Sequence, residues 1–120
     1  MIRTILQFAL LAALAFGVHA RDFSYKGTKP QAIIDVRTPA EFAAGHVDGA
    51  INIPLEVIGQ QITSLKDLKK DSTIVLYCRS GKRSEAARAT LAGQGYTKVV
   101  NAGGLDDISK ALQPCPAAGC

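Results

Sequence analysis

The sequence predicts an α/β domain in which helices cover both faces of a small parallel sheet. From Gln31 onwards, short apolar segments of strand type alternate with segments of helical spacing. This alternation is typical of parallel sheets whose strands are joined by helices. The segment from Thr73 to Tyr77 is almost continuously apolar, as expected for a strand that is buried on both faces of such a sheet.

The first predicted strand and helix lie close together in the sequence. Gln31 to Val36 is apolar enough to form a strand. Thr38 followed by Pro39, with Glu41 three residues after the threonine, is the pattern of a helix start with a capping box. We expect this helix to be short, because Gly45 follows it.

The middle of the chain predicts a brief extended segment, a helix and a charged connection. Ile51 to Pro54 is the extended segment. Leu55 to Leu65 has apolar residues at intervals of three and four, which predicts a helix. Lys66 to Asp71 is charged and should be solvated, and the buried strand Thr73 to Tyr77 follows.

The last third predicts two further helices around one strand. Ser84 to Leu91 contains three alanines and no helix breaker, so it should be helical. Lys98 to Val100 is a short strand, and Asn101 to Gly104 should be a loop with unusual backbone freedom. Leu105 to Leu112 predicts the final helix, which Pro114 ends.

The first twenty residues have the pattern of a secretory signal peptide. Arg3 precedes an apolar run over residues 5–18 that only Gln7 interrupts, and Val18-His19-Ala20 is a small-x-small cleavage site. We expect cleavage after Ala20 and a periplasmic or secreted protein. A membrane anchor is the alternative, but the apolar run is shorter than the roughly 20 residues that a spanning helix needs.

These features divide the chain into a signal peptide (1–20), a polar and irregular segment (21–30), one domain (31–113) and a cysteine-containing tail (114–120). The formal charge of +4 is mild, and no basic patch with supporting aromatic residues indicates nucleic-acid binding. The two histidines do not form a metal-ligand cluster. We therefore expect no metal, no other cofactor, no nucleic-acid partner and no stable membrane insertion after cleavage.

The candidate active site is the loop that follows the buried strand. Cys78 stands at the end of the strand, where ligands bind in parallel sheets. Nearby cations and the N-terminus of the next helix, which should begin at Arg83 or Ser84, both favour a thiolate. The loop could therefore hold an anionic substrate through its N–H groups and side chains. The candidate binding residues are Arg79, Ser80, Gly81, Lys82 and Arg83.

Two other interpretations of this loop are weaker. A structural cysteine at a strand end is common, but inert cysteines lie in apolar surroundings, and this one is followed by dense positive charge. A phosphate-binding loop of the Walker type requires Ser or Thr after Gly-Lys, whereas Gly81-Lys82 is followed by Arg83.

Three separate motifs resemble those of rhodanese domains, in the same order. The first is Asp35-Val36-Arg37, Glu41-Phe42 and the run from Gly45 to Pro54; the second is Tyr77 to Ser84; the third is Gly95-Tyr96, Val99 and Asn101 to Leu105. The resemblance covers about Gln31 to Leu112. With the export signal, it is strongest to small single-domain periplasmic rhodaneses of the phage-shock-protein-E type.

The resemblance implies a rhodanese-like fold and a thiosulfate sulfurtransferase. Cys78 would take the outer sulfur of thiosulfate as a persulfide and pass it to cyanide or a thiol acceptor. Asp35, Arg37 and His46 would support the loop and the fold rather than take part in the chemistry. We expect the protein to be a monomer whose partners are a small-molecule sulfur donor and a thiophilic acceptor.

Two other functions remain open from the sequence. A persulfide carrier or anion-binding module with little turnover could use the same loop. A cysteine phosphatase or arsenate reductase of related fold is disfavoured, because four residues separate Cys78 from Arg83, whereas the phosphatases have five.

The tail contains the remaining two cysteines, Cys115 and Cys120. We expect them to form a local disulfide in an oxidising compartment, and the alternative is two unpaired thiols on a frayed end. A further hypothesis is that one of them receives sulfur from Cys78 or resolves its oxidised form.

Overall fold

The computed structural model describes residues 23–116, so the predicted signal peptide and Cys120 lie outside the described residues. Four strands form a parallel sheet in the order β3-β2-β4-β5, and two further strands, β1 and β6, form a separate antiparallel pair. The strands are β1 (Phe23–Tyr25), β2 (Ala32–Asp35), β3 (Ile51–Asn52), β4 (Thr73–Cys78), β5 (Lys98–Gly104) and β6 (Leu112–Pro114).

The described helices confirm the predicted α/β class. They are α1 (Pro39–Ala44), α2 (Ile58–Gln61), α3 (Lys82–Gly93) and α4 (Leu105–Ala111). Successive side chains of β4 alternate between two apolar clusters. Ile74 and Leu76 belong to the cluster that includes Leu91 of α3, and Val75 belongs to the cluster that includes Ile108 of α4. Helices therefore cover both faces of the sheet, and β4 is buried between them.

The predicted start and end of α1 are confirmed. The Oγ1 atom of Thr38 accepts a hydrogen bond from the Glu41 N–H at 3.2 Å, and the Thr38 N–H donates to Oε1 of Glu41 at 3.0 Å. This reciprocal pair satisfies N–H groups that a helix start otherwise leaves without partners. Gly45 ends the helix, and its N–H donates to the carbonyl oxygen of Phe42.

The predicted helix from Leu55 to Leu65 is interrupted. A 3-10 turn (Leu55–Val57) precedes α2, and a second one (Ile62–Ser64) follows it. No side chain caps these turns, and β-branched residues disfavour a continuous helix. Gly59 serves packing here, because an added Cβ would lie 2.9 Å from the Gln94 side chain, which donates to the Gly59 carbonyl oxygen.

The expected loop from Asn101 to Gly104 instead continues β5 as a bulged strand. Leu76 pairs with Asn101, and Cys78 pairs with Gly104. An advance of two residues along β4 therefore corresponds to an advance of three residues along β5. One extra residue therefore lies on β5, as in a β-bulge. Gly103 has φ 87°, a left-handed conformation that favours glycine and agrees with the expected backbone freedom.

Two segments that were not expected to form strands pair with each other: Phe23–Tyr25, within the segment expected to be irregular, and Leu112–Pro114, at the end of the expected final helix. Tyr25 pairs with Leu112, and Phe23 pairs with Pro114. The helix α4 consequently ends at Ala111 rather than Leu112. The strands β1 and β6 lie near opposite ends of the described residues, so local sequence patterns do not predict that they pair. Within the residues that the structure describes, no helix is long and apolar enough to cross a membrane.

The Tyr77 hydroxyl connects β4 to the segment after α1, which yields a stability prediction. This hydroxyl accepts a hydrogen bond from the buried Val47 N–H at 3.0 Å. Tyr77→Phe should lower the free energy of unfolding by about 1–3 kcal/mol, because it leaves a buried donor unsatisfied. Urea unfolding followed by circular dichroism measures the change.

Tyr96→Phe provides the control. Tyr96 is also buried, but its hydroxyl makes no hydrogen bond within the described residues, so its removal should have a smaller effect. Equal losses in the two variants would show that the hydrogen bond to Val47 contributes nothing specific.

Candidate active site

Cys78 is the last residue of β4, and only 1% of its surface is exposed. The chain then turns within three residues, because α3 begins at Lys82, slightly before the expected start at Arg83 or Ser84. Gly81 is the residue before the helix, with φ 93°. This left-handed conformation allows the sharp turn and would strain any residue with a side chain. The turn brings the first residues of α3 against the sulfur.

Two groups of this turn contact the sulfur atom directly. The Gly81 N–H donates to Sγ of Cys78 at 3.0 Å. The hydroxyl oxygen of Ser84 lies 3.4 Å from Sγ. The sulfur therefore lies against a backbone donor and a hydroxyl at the start of a helix, which is an arrangement that favours negative charge.

These contacts change the acidity of the thiol. Burial by itself raises the pKa of Cys78, because it removes water from the charged form. The Ser84 hydroxyl and the backbone N–H groups of Ser84, Gly81 and Ser80 act in the opposite direction and prevail, so the pKa of Cys78 is lower than that of an ordinary cysteine. The thiolate is the nucleophilic form, so the turn activates the sulfur.

Asn101 holds the turn from the neighbouring strand. Its Oδ1 atom lies 2.6 Å from the Ser84 hydroxyl oxygen, whose single proton can point either to this Oδ1 or to Sγ of Cys78. Its Nδ2 atom donates to the Gly81 carbonyl oxygen at 2.9 Å. The Gly103 N–H also donates to Oδ1 at 2.9 Å. Ser84 and Asn101 were not among the predicted site residues. Their presence in two of the three sequence motifs was the available signal.

Gly104 lies where β5 packs closely against the backbone of the loop after Cys78. A Cβ atom at Gly104 would collide with the backbone carbonyl of Arg79. The Gly104 N–H donates to Oδ2 of Asp107 at 2.9 Å, which ties the end of β5 to the first turn of α4. The strand can thus approach the reactive loop at backbone distance.

The predicted cationic residues do not form a uniform group. Both terminal nitrogens of Arg83 donate to the carboxylate of Glu41, at 2.7 Å and 3.0 Å. The Nε atom of Arg79 lies 3.8 Å from Glu41, but the Arg79 side chain is 73% exposed. Lys82 and Ser80 are exposed. Arg83 is therefore held by a carboxylate, whereas Arg79 and Lys82 extend towards solvent.

An open cleft of about 660 Å³ adjoins the loop. It is bounded by Ser80, Gly81 and Lys82 of the loop, by Asn101 of β5 and by Tyr25 of β1. The pairing of β1 with β6 thus brings an N-terminal residue to the edge of the candidate site.

Comparisons with known proteins agree with this geometry. The family described as "Rhodanese-like domain" matches residues 23–111. The chain belongs to the rhodanese-like family. It is 47% identical over 77 residues to the thiosulfate sulfurtransferase PspE of Escherichia coli, a match that covers 63% of this chain and 72% of that protein.

Two solved structures are similar to this rhodanese-like fold. One is described as a rhodanese with anions from E. coli, with a TM-score of 0.62 and 41% identity over 69% of this chain and 96% of the other. The other is the human single-domain sulfurtransferase TSTD1, with a TM-score of 0.57 and 28% identity over 85% of this chain and 90% of that one. The family and the fold expected from the sequence motifs are confirmed.

Asp35 and Arg37 form a buried ion pair next to the rhodanese loop. The Arg37 terminal nitrogen Nη2 donates to Asp35 at 2.7 Å and to the Gly45 carbonyl oxygen at 2.6 Å. Its guanidinium lies 5.7 Å from the centre of the Tyr77 ring. Burial, more than any other cause, raises the pKa of Tyr77 to about 12, so its hydroxyl stays protonated. These contacts connect β2, β4 and the end of α1. The support role of Asp35 and Arg37 stays a prediction.

His46 is exposed and takes part in local contacts. Its Nδ1 atom lies 2.8 Å from the Phe42 carbonyl oxygen, to which it donates. The two rings stack at 3.6 Å between centroids. The structural role of His46 stays a prediction.

The described cysteines differ in chemical state. Cys78 is a free thiol, and Cys115 is disulfide-bonded. Cys120 lies outside the described residues, so its bond with Cys115 stays a prediction. Within residues 23–116, no group of three or more histidine, cysteine or carboxylate side chains is placed to hold a metal ion.

The role of the Ser84 hydroxyl can be tested through the acidity of Cys78. Ser84→Ala removes the side chain that contributes most to lowering this pKa, so the pKa should rise. Alkylation by iodoacetamide should become about tenfold slower below the inflection of its pH profile, as expected for the loss of one hydrogen bond to a charged sulfur.

Ser80→Ala is the matched control, because it removes a hydroxyl from the same loop but keeps the backbone N–H that contributes to the pKa of Cys78. Its pH profile should match that of the wild type. An unchanged profile in Ser84→Ala would contradict the assigned contact.

Proposed function

We propose that this protein is a sulfurtransferase that takes the outer sulfur of thiosulfate onto Cys78 and passes it to a thiophilic acceptor. The observation that carries the proposal is the buried Cys78 sulfur with a lowered pKa, which Gly81 and Ser84 contact at the carboxyl end of the sheet. The similarity to a protein named thiosulfate sulfurtransferase supports the choice of donor.

In the first half of the reaction, the Cys78 thiolate attacks the outer sulfur of thiosulfate. A new S–S bond forms to Cys78, and the original S–S bond breaks. The bonding electrons leave with the inner sulfur as sulfite, and Cys78 carries a persulfide anion. The loop N–H groups can stabilise the negative charge as it moves to the terminal sulfur.

The cationic side chains of the loop attract and bind the sulfur donor, thiosulfate. Arg79 and Lys82 are exposed beside the loop and can attract a doubly charged anion. Arg83 keeps donors that its contact with Glu41 does not use, since a guanidinium has five N–H groups. Positive charge therefore assists capture of thiosulfate and departure of sulfite.

In the second half, a cyanide carbon or a thiolate sulfur attacks the terminal sulfur of the persulfide. The S–S bond to Cys78 breaks, and its electrons restore the Cys78 thiolate. Cyanide leaves as thiocyanate, and a thiol acceptor leaves as a persulfide. No group of the protein needs to act as a base, because both nucleophiles enter as anions.

We also propose that the protein acts outside the cytosol as a monomer. The signal pattern over residues 1–20 supports export with cleavage after Ala20. A local disulfide between Cys115 and Cys120 suits the same compartment. The small-molecule chemistry requires no nucleic-acid partner.

The central test is the intact mass of the protein after reaction with thiosulfate. The mass should increase by one sulfur atom, and addition of cyanide should reverse the increase with release of thiocyanate. Cys78→Ser should abolish both effects, because it removes the nucleophile while changing one atom.

Other outcomes would support a different function. Faster release of phosphate from an aryl phosphate than of thiocyanate from thiosulfate would identify a phosphatase. Uptake of one sulfur without repeated turnover would identify a persulfide carrier. Full thiocyanate production by Cys78→Ser would contradict all of these cysteine-based mechanisms.

The export proposal has its own test. Protein purified from the periplasm or medium should begin at Arg21, as shown by N-terminal sequencing. Peptide mapping without reductant should find Cys78 as a free thiol and Cys115 linked to Cys120. Protein retained in the cytosol with residues 1–20 attached, or a bridge between Cys78 and the tail, would contradict these assignments.

A further inference from the structure

Arg83 was predicted to bind the anionic substrate, yet its guanidinium already binds the carboxylate of Glu41. Its two terminal nitrogens donate to the two oxygens of Glu41, at 2.7 Å and 3.0 Å. This is a bidentate, fork-to-fork contact, which is the geometry an arginine uses for an oxyanion. An incoming sulfonate or sulfate must therefore compete with Glu41 for this end of the guanidinium.

Glu41 is held in place from the other side by α1. The backbone N–H of Thr38 donates to Oε1 of Glu41 at 3.0 Å, and the Thr38 hydroxyl donates to the same oxygen at 3.2 Å. The carboxylate is thus fixed by the capping box and is only 22% exposed. These hydrogen bonds oppose movement of the carboxylate when an anion enters the loop.

Glu41 also stays ionised under working conditions. The hydrogen bond from Arg83, together with those from Thr38, lowers the pKa of Glu41 to about 2. Arg79 lies near the same carboxylate, at 3.8 Å. One fixed negative charge therefore lies between the two arginines of the loop and reduces the positive potential that an anion meets.

We propose that Glu41 is a specificity-determining residue that weakens the binding of unreactive oxyanions such as sulfate. The inference rests on the proposed function, because it concerns how a sulfur donor is distinguished from its inert analogues. Sulfate can be held only by charge and hydrogen bonds. Thiosulfate also transfers its outer sulfur to Cys78, with loss of sulfite, so its productive use depends less on tight anion binding.

The test is Glu41→Gln. Glutamine is also accepted at this position of a capping box, so the start of α1 should persist while the charge is lost. Sulfate should protect Cys78 from iodoacetamide at concentrations about threefold to fivefold lower than in the wild type. That factor matches the strength of a partly exposed charge interaction.

Glu85→Gln is the matched control. It removes the same charge from the first turn of α3, but Glu85 is paired with Arg88, whose nearest nitrogen lies 2.6 Å away. The sulfate concentration for half-protection should then stay close to that of the wild type. Equal effects of the two substitutions would show that net charge, rather than the contact with Arg83, governs anion binding.

Protection from alkylation does not require turnover, so it separates this inference from the proposed function. Unchanged or weaker sulfate protection in Glu41→Gln would overturn the inference, and weaker protection would show in addition that Glu41 orients Arg83 for binding. Failure of the wild type to form a persulfide would overturn the proposed function and leave the protection result intact. In active protein, inhibition by sulfate should strengthen in Glu41→Gln more than the KM for thiosulfate falls.

Discussion

The structure depends on favouring the thiolate form of one cysteine where almost no water reaches its sulfur atom. Cys78 is 1% exposed, and burial disfavours a thiolate. Hydrogen bonds from Ser84 and from the loop N–H groups offset this cost. Those donors point at the sulfur only because Gly81 adopts a left-handed conformation and α3 starts immediately afterwards. The lowered pKa of Cys78 therefore depends on a backbone turn that brings both the Ser84 hydroxyl and the loop N–H groups to the sulfur.

That turn is supported by β5 more than by its own side chains. Asn101 binds both the Ser84 hydroxyl and the Gly81 carbonyl oxygen. The bulge after Asn101 then shifts the register, so that Gly104 meets the backbone of Arg79 without a side chain in between. The bulge in β5 thus allows the edge of the sheet to contact the loop after Cys78.

Positive charge in the site is divided between two roles. Arg37 and Arg83 are bound to the carboxylates of Asp35 and Glu41. Arg79 and Lys82 are exposed and can attract an anion from solvent. The sequence motif alone does not distinguish the paired arginines from the exposed cations. Their different partners arise from α1 and β2, which are remote from Cys78 in the sequence.

Local signals predicted most of the fold. The capping box of Thr38 and Glu41, the apolar strand β4 and the helix α3 each depend on residues that are near one another in the chain, so pattern and propensity identify them. The pairing of β1 with β6 and the bulge in β5 depend on contacts across the sheet or across the whole chain. No local pattern could predict them.

The sequence by itself determined the family, the nucleophile and the glycine that turns the loop, because these depend on residue types at short spacing. Only the tertiary structure decided that Ser84 contacts Cys78, that Asn101 contacts Ser84, and that Arg83 binds Glu41. Hydrogen bonds and ion pairs are set by distances between atoms. Those distances exist only after the helices and the sheet have packed together.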